Sequence, residues 1–196
     1  MTALKVYNSF IKSERKVLGM IDPLKNEPLE IERKFLIRYP DLQVLERLCS
    51  KKLVISQTYL YSEPELTRRI RKSETVCETG TETICWYTEK ERITAVTRIE
   101  RERQITENEY DALMKEADPG AQTIRKTRYN LPCKDLCFEV DVFPEWTDRA
   151  YCEVELQDEA YVFEFPECLE VIKEVTDDCR YTNASLARNG FIMEAI

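Results

Sequence analysis

The 196-residue chain contains no histidine, an absence that excludes several kinds of chemistry. There is no Ser-His-Asp triad, no Cys-His pair and no zinc site with an imidazole ligand. Proton transfer near neutral pH falls to a carboxylate, a lysine, a tyrosine, a thiol or bound water. Glycine is scarce, with only four residues, and neither a GxGxxG nor a P-loop pattern occurs, so no Gly-rich loop is available to hold a nucleotide. No apolar run approaches the roughly 20 residues of a membrane span. The opening MTALKVYNSFIKSERK lacks an apolar core, so no secretory signal and a cytoplasmic location are expected. The eight cysteines are then expected to be reduced; none forms a CxxC pair, and a four-thiolate zinc site around Cys133 and Cys137 is disfavoured. Base is also in deficit: 29 Lys and Arg stand against 37 Asp and Glu, a net charge of −8. A protein that grips duplex nucleic acid needs a basic surface, so that partner is excluded.

With 43% apolar residues, a chain of this length has the composition of a globular protein of one or two domains. Residues 1–28 read as an N-terminal extension: a loose helical pattern of Val6, Phe10, Ile11, Val17 and Leu18 is broken by Asp22-Pro23 and Glu27-Pro28. The main domain spans 29–196. Strand-like segments are expected at 29–38, 54–62, 67–73, 83–90, 95–105, 123–130, 136–143 and 150–157. Helical signals lie between and after them. Asp41 caps one helix and Thr106-x-x-Glu109 forms a capping box. Pro166 opens a third with Leu169, Ile172 and Val175 inward, and Asn183 caps a last one that stops at Gly190. The class is α+β, dominated by one antiparallel sheet or barrel.

The charges form a second pattern. Residues i and i+2 of a strand share a face. At that spacing lie Glu30, Glu32 and Lys34; Arg69 and Arg71; Glu100 and Glu102; Lys126 and Arg128; Glu139 and Asp141; and Glu153 and Glu155, with Lys90 near the end of its own strand. Any one pair is ordinarily a solvent face. Nearly every strand, however, carries like charges that repel across about 6–7 Å, which calls for opposite charge nearby. The alternate face, with Ile31, Phe35, Val140, Val142, Val154 and Leu156, is apolar. The expected arrangement is a closed eight-stranded antiparallel β-barrel, helices packed outside, with a wet, open, ionic interior. Clustered carboxylates suit a hard divalent cation, and clustered Arg and Lys suit phosphate oxygens. Together they point to a metal–polyphosphate complex. Crowded acids are expected to destabilise the empty protein.

These segments resemble a known family. EIERKFLI at 30–37 resembles the ExExK strand of the CYTH superfamily, the triphosphate tunnel metalloenzymes. RRIRK at 68–72, WYTEK at 86–90, RIERERQI at 98–105, IRKTRY at 124–129, FEVDVF at 138–143 and CEVEL at 152–156 are similar to its later strands, in family order. VTDDCRYTNASLA at 175–187 resembles its C-terminal segment. The resemblance implies an eight-stranded tunnel, Mg²⁺ or Mn²⁺ as cofactor, and a small-molecule triphosphate as substrate. It implies Glu30, Glu32, Glu100, Glu102, Asp141, Glu153 and Glu155 as metal-side acids. Lys34, Arg69, Arg71, Lys90, Lys126 and Arg128 become phosphate ligands, with Lys34, Glu102 and Asp141 assisting catalysis. Trp86, Tyr87 and Trp146 are available for stacking, read first as packing residues, and nothing selects a base or thiamine. The expected activity is hydrolysis of inorganic tripolyphosphate to diphosphate and phosphate, by a monomer or homodimer. Thiamine, nucleoside or RNA triphosphate hydrolysis and a non-catalytic polyphosphate-binding module are the alternatives.

Overall fold

A computed structural model describes residues 29–62, 66–77, 80–92, 97–158 and 160–194; the N-terminal extension and the side chain of Glu30 lie outside the described part. Nine strands run in chain order: β1 (Leu29–Arg38), β2 (Lys51–Tyr59), β3 (Leu66–Cys77), β4 (Gly80–Arg92), β5 (Thr97–Ile105), β6 (Ile124–Cys133), β7 (Leu136–Val142), β8 (Arg149–Glu155) and β9 (Val171–Glu174). Three short helices accompany them: α1 (Leu42–Leu48), α2 (Glu107–Leu113) and α3 (Asn183–Asn189). Among the described residues no helix is long and apolar enough to cross a membrane.

The strands form one sheet in the order β5-β4-β3-β2-β6-β7-β8-β1-β9. Every pairing is antiparallel, as the short connections dictate. The expected closed eight-stranded barrel is corrected here: the structure is a nine-stranded sheet, rolled on itself. β1 pairs with β8 through Glu32–Arg38. On its other edge β1 meets β5 over three residues only, Leu29–Ile31, and further along that edge lies β9, opposite Phe35–Ile37. The added strand is the segment read as a helix after Pro166. Leu169 N–H closes a turn on the Pro166 carbonyl, after which Val171 and Ile172, β-branched and poor in helices, extend along β1.

The other helix signals fold as the local chemistry requires. Asp41 accepts from Gln43 and Val44 N–H at the start of α1. Thr106 accepts from Glu109 N–H at α2, although the Glu109 carboxylate turns to Arg103 instead of completing the capping box. α3 is capped by Thr182, one residue before the expected Asn183, and ends at Gly190 with φ of 82°.

The apolar face behaves as the alternation predicts. Phe35, Val140, Val142, Val154 and Leu156 join Leu45 of α1, Phe138 and Leu169 in one core. Phe163 and Phe165 close over it edge-on, their centroids 6.0 and 4.8 Å from Phe35. Truncating a ring at its centre leaves a cavity that this rigid packing cannot refill. Phe138→Ala is expected to cost about 3–5 kcal/mol, read as a lower denaturation midpoint at unchanged slope.

Candidate functional site: a charged inner face

The opposite face carries the charge, and cross-strand register decides how it is neutralised. In three places a base-bearing strand lies beside an acid-bearing one. Arg128 of β6 stands opposite Asp141 of β7, Lys34 of β1 opposite Glu153 of β8, and Lys90 of β4 opposite Glu100 of β5. Those three bases are thus offset by an adjacent strand, while Arg69 and Arg71 of β3 reach past β4 to the acids of β5.

Two networks result. In the first, the Glu153 carboxylate accepts from Lys34 Nζ and from Arg128 Nη2, each at 2.7 Å. Arg128 also donates from Nε to Asp141 Oδ1 at 2.7 Å and pairs with Glu139, and Lys126 pairs with Asp141. Lys34, Lys126, Arg128, Asp141 and Glu153 are all buried. In the second, Glu100 pairs with Lys90 at 2.5 Å and Arg69 at 3.5 Å. Glu102 accepts from Arg71 at 3.1 Å and from Thr88 Oγ1 at 2.7 Å. Gln57 accepts from Arg69 at 3.2 Å and donates to the Tyr59 hydroxyl at 2.7 Å.

The electrostatics follow from burial and neighbours. Burial raises Glu153, but Lys34, Lys126 and Arg128 outweigh it and hold the carboxyl well below its usual range. Burial pushes Lys126 down to about 8, with Arg128 adding to the effect and Asp141 opposing it. Burial raises Glu139 despite the Arg128 guanidinium. Burial and then Arg69 lower Arg71.

Five acids, Glu32, Asp135, Glu139, Glu153 and Glu155, line a cleft of about 320 Å³ together with Cys137 and Gln157. Glu32 and Glu155 face each other across β1 and β8, as Glu139 and Glu153 do across β7 and β8. Among the described residues no three Asp, Glu or Cys side chains converge closely enough to hold a metal ion as they stand. The donor chemistry nevertheless fits a hard cation: the cleft acids offer oxygen ligands, and Glu139 is desolvated enough to gain from a nearby positive charge. The bases fit an anion, since the buried Arg71 Nε has no hydrogen-bond partner.

The structure therefore brings Lys34, Lys126, Arg128, Asp141 and Glu153 into one network and Arg69, Arg71, Lys90, Glu100 and Glu102 into another. Glu32 and Glu155 stand at the cleft. Sequence reading placed Glu139 on the charged face without giving it a site role, and it left out Gln57 and Thr88; their positions beside the Arg69 strand and two residues from Lys90 were the available signal. Of the aromatic candidates, Trp146 is buried against Phe143, Tyr151 and Phe191, and Tyr87 lies outside between Arg68 and Arg103. Trp86, opposite Arg71 and half-buried, shares the strand face of Thr88 and Lys90.

No family model matches the chain. An inorganic triphosphatase of Acetivibrio thermocellus is 29% identical over 163 residues, covering 83% of this chain and 95% of that protein. A crystal structure of the protein NE1496 is 30% identical, covers 81% of this chain and 97% of its own, and has a TM-score of 0.49. A second crystal structure, of the inorganic triphosphatase NE1496, is 28% identical over 86% of this chain and 95% of its own, with a TM-score of 0.49. The triphosphatase relative is matched over nearly its whole length, and the seven charged strand motifs follow the order of the CYTH pattern. In this chain the acids and bases of those motifs occupy one inner face and neutralise each other across strands.

That mutual pairing reverses the expectation that crowded acids destabilise the empty protein. Glu153→Gln leaves Lys34 and Arg128 short of a buried partner and is expected to cost about 3–5 kcal/mol. The folded pKa of Glu153 lies below its unfolded value of about 4.3, so its stabilisation is present above that pH and is lost as pH falls toward the folded value. Acid unfolding of Glu153→Gln followed by circular dichroism should show a shallower loss below about pH 4 than the parent.

Proposed function

We propose that this chain hydrolyses a linear triphosphate, inorganic tripolyphosphate first, in a metal-dependent reaction on the charged inner face. The observation that carries this reading is the presence on one face of two base sets, the buried Lys34, Lys126 and Arg128 and the half-buried Arg69, Arg71 and Lys90, beside an acid-lined cleft. A polyanion alone would need only the bases, and a cation alone only the acids. The similarity to inorganic triphosphatases over most of both chains supports the same reading.

Each residue has a role in this account. Arg69 and Arg71 hold phosphoryl oxygens from one wall, while Lys34 and Arg128 hold them from the other, each exchanging part of its carboxylate pairing for phosphate. Lys90 extends the grip along β4. Glu32, Glu139 and Glu155 at the cleft, with Glu153 and Asp141 deeper, would hold Mg²⁺ or Mn²⁺. Glu30, Glu100 and Glu102 are assigned to the metal side by family pattern. Bound there, the cation supplies charge neutralisation and polarises phosphoryl oxygens. Lys126 Nζ, lowered by burial, takes up a proton from the attacking water at mildly alkaline pH. Glu102 and Asp141 keep Arg71 and Lys126 aimed.

Phosphate release from tripolyphosphate, measured with and without Mg²⁺ or Mn²⁺ and in parallel on ATP, thiamine triphosphate and triphosphate-ended RNA, tests the assignment. Tripolyphosphate should be hydrolysed only with metal, and a protein that binds it without turnover would instead be a binding module. Arg71→Ala is expected to lower kcat/KM roughly 10–100-fold in a folded protein. The pH profile of kcat/KM should rise through an apparent pKa near 8, the value for Lys126, and Lys126→Met should abolish that rising limb.

A further inference from the structure

Cross-strand register sets Tyr59 of β2 opposite Arg69 of β3, with Gln57 two residues before it on the same inner face. The Tyr59 ring belongs to the apolar cluster of Leu36, Ile124, Phe143 and Tyr151, where the charged part of that face ends. Each of these four lies two residues along its strand from Lys34, Lys126, Asp141 or Glu153. The Tyr59 hydroxyl reaches Gln57. The direction of each hydrogen bond in this chain of groups follows from its donors. A guanidinium only donates, so the Gln57 atom 3.2 Å from Arg69 Nη1 is the amide oxygen. The amide nitrogen then lies 2.7 Å from the Tyr59 oxygen, and it donates. Tyr59 is the acceptor in that bond, so its own proton points elsewhere. Among the described residues no acceptor takes that proton. Tyr59 is nevertheless only 4% exposed and Gln57 1% exposed, a setting in which a spare donor is costly. Burial raises the Tyr59 phenol pKa, and Arg69 and then Lys34 oppose that rise, so both base sets act on this hydroxyl.

We infer that the Tyr59 hydroxyl, aimed by Gln57, donates its proton in a hydrogen bond to a phosphoryl oxygen held between Arg69 and Lys34. This rests on the triphosphate reading of the inner face and adds to it a ligand without charge. Ionised phosphoryl oxygens accept and do not donate, so they suit a hydroxyl whose proton is already directed away from Gln57. A neutral donor also adds a directional bond without adding to the repulsion among the bases. Gln57 is a positioning residue: Arg69 fixes which way its amide lies, and the amide fixes which way the Tyr59 proton points.

Isothermal titration calorimetry of tripolyphosphate into the metal-free full chain, beside phosphate release with Mg²⁺ or Mn²⁺, tests the assignment. Tyr59→Phe keeps the ring in its apolar cluster and is expected to weaken binding roughly 10–100-fold, with KM rising in proportion and kcat nearly kept. If the hydroxyl serves only to satisfy Gln57, Tyr59→Phe lowers the melting temperature while affinity and KM stay at parental values, and the proposal falls. Gln57→Glu replaces the donating amide by a second acceptor that can still hold Arg69, so the Tyr59 proton turns to it and away from the substrate. Affinity should fall, and by a smaller factor when the same change is made in the Tyr59→Phe background, which has no proton to redirect. An equal factor in both backgrounds is the effect of added charge alone and removes the positioning role of Gln57. Unchanged affinity in Gln57→Glu overturns the proposal even where Tyr59→Phe does not fold. Tripolyphosphate bound by the parent but not hydrolysed with either metal sinks the triphosphatase reading, and the binding arms still decide Tyr59.

Discussion

Charges turned inward on a rolled sheet must be paired, and this requirement governs the structure. An ion in a low-dielectric interior is costly unless an opposite charge and hydrogen bonds replace its water. Here the pairing is distributed across strands, because a strand spacing of about 4.8 Å sets opposite residues within reach of long side chains. Glu153 illustrates the balance: fully buried, it stays ionised because Lys34 and Arg128 hold it from two sides. The same arrangement has a functional side. In the proposed reaction a polyphosphate and a cation supply charges of both signs, so ion pairs on the inner face can open without leaving a buried charge alone.

Much of this was legible in the sequence because a strand has a period of two. The separation of Val140 and Val142 from Glu139 and Asp141, and of Val154 from Glu153 and Glu155, is a local property, and the structure keeps it. Caps were similarly local, as Asp41 and Thr106 demonstrate. Non-local facts were less legible. Nothing in the 166–174 segment alone tells whether Ile172 seeks a helix face or the edge of β1, since that choice depends on an edge built from residues more than 130 positions earlier.

The site was legible in membership and less so in partnership. Listing Glu100 and Lys90 as charged did not say that they face each other, and listing acids by presumed metal role concealed that most of them are already engaged by bases. The apolar end of the inner face escaped sequence reading for a related reason. Leu36, Tyr151 and Phe143 look like ordinary core residues, and only the rolled sheet places them together under the charges.

The position of β1 has a consequence for how the chain acquires its fold. This first described strand gains its partners from β5, β8 and β9, the last two more than 110 residues later. Such pairings close long loops and place the protein among slow-folding, non-local topologies. During synthesis β1 emerges long before β8, so Phe35 and Ile37 remain without their core until almost the whole chain is made. Its charged residues, Glu32, Arg33 and Lys34, flank that apolar run in the position of gatekeepers against premature strand pairing with other chains. Residues read first as ligands thus also protect the nascent strand that carries them.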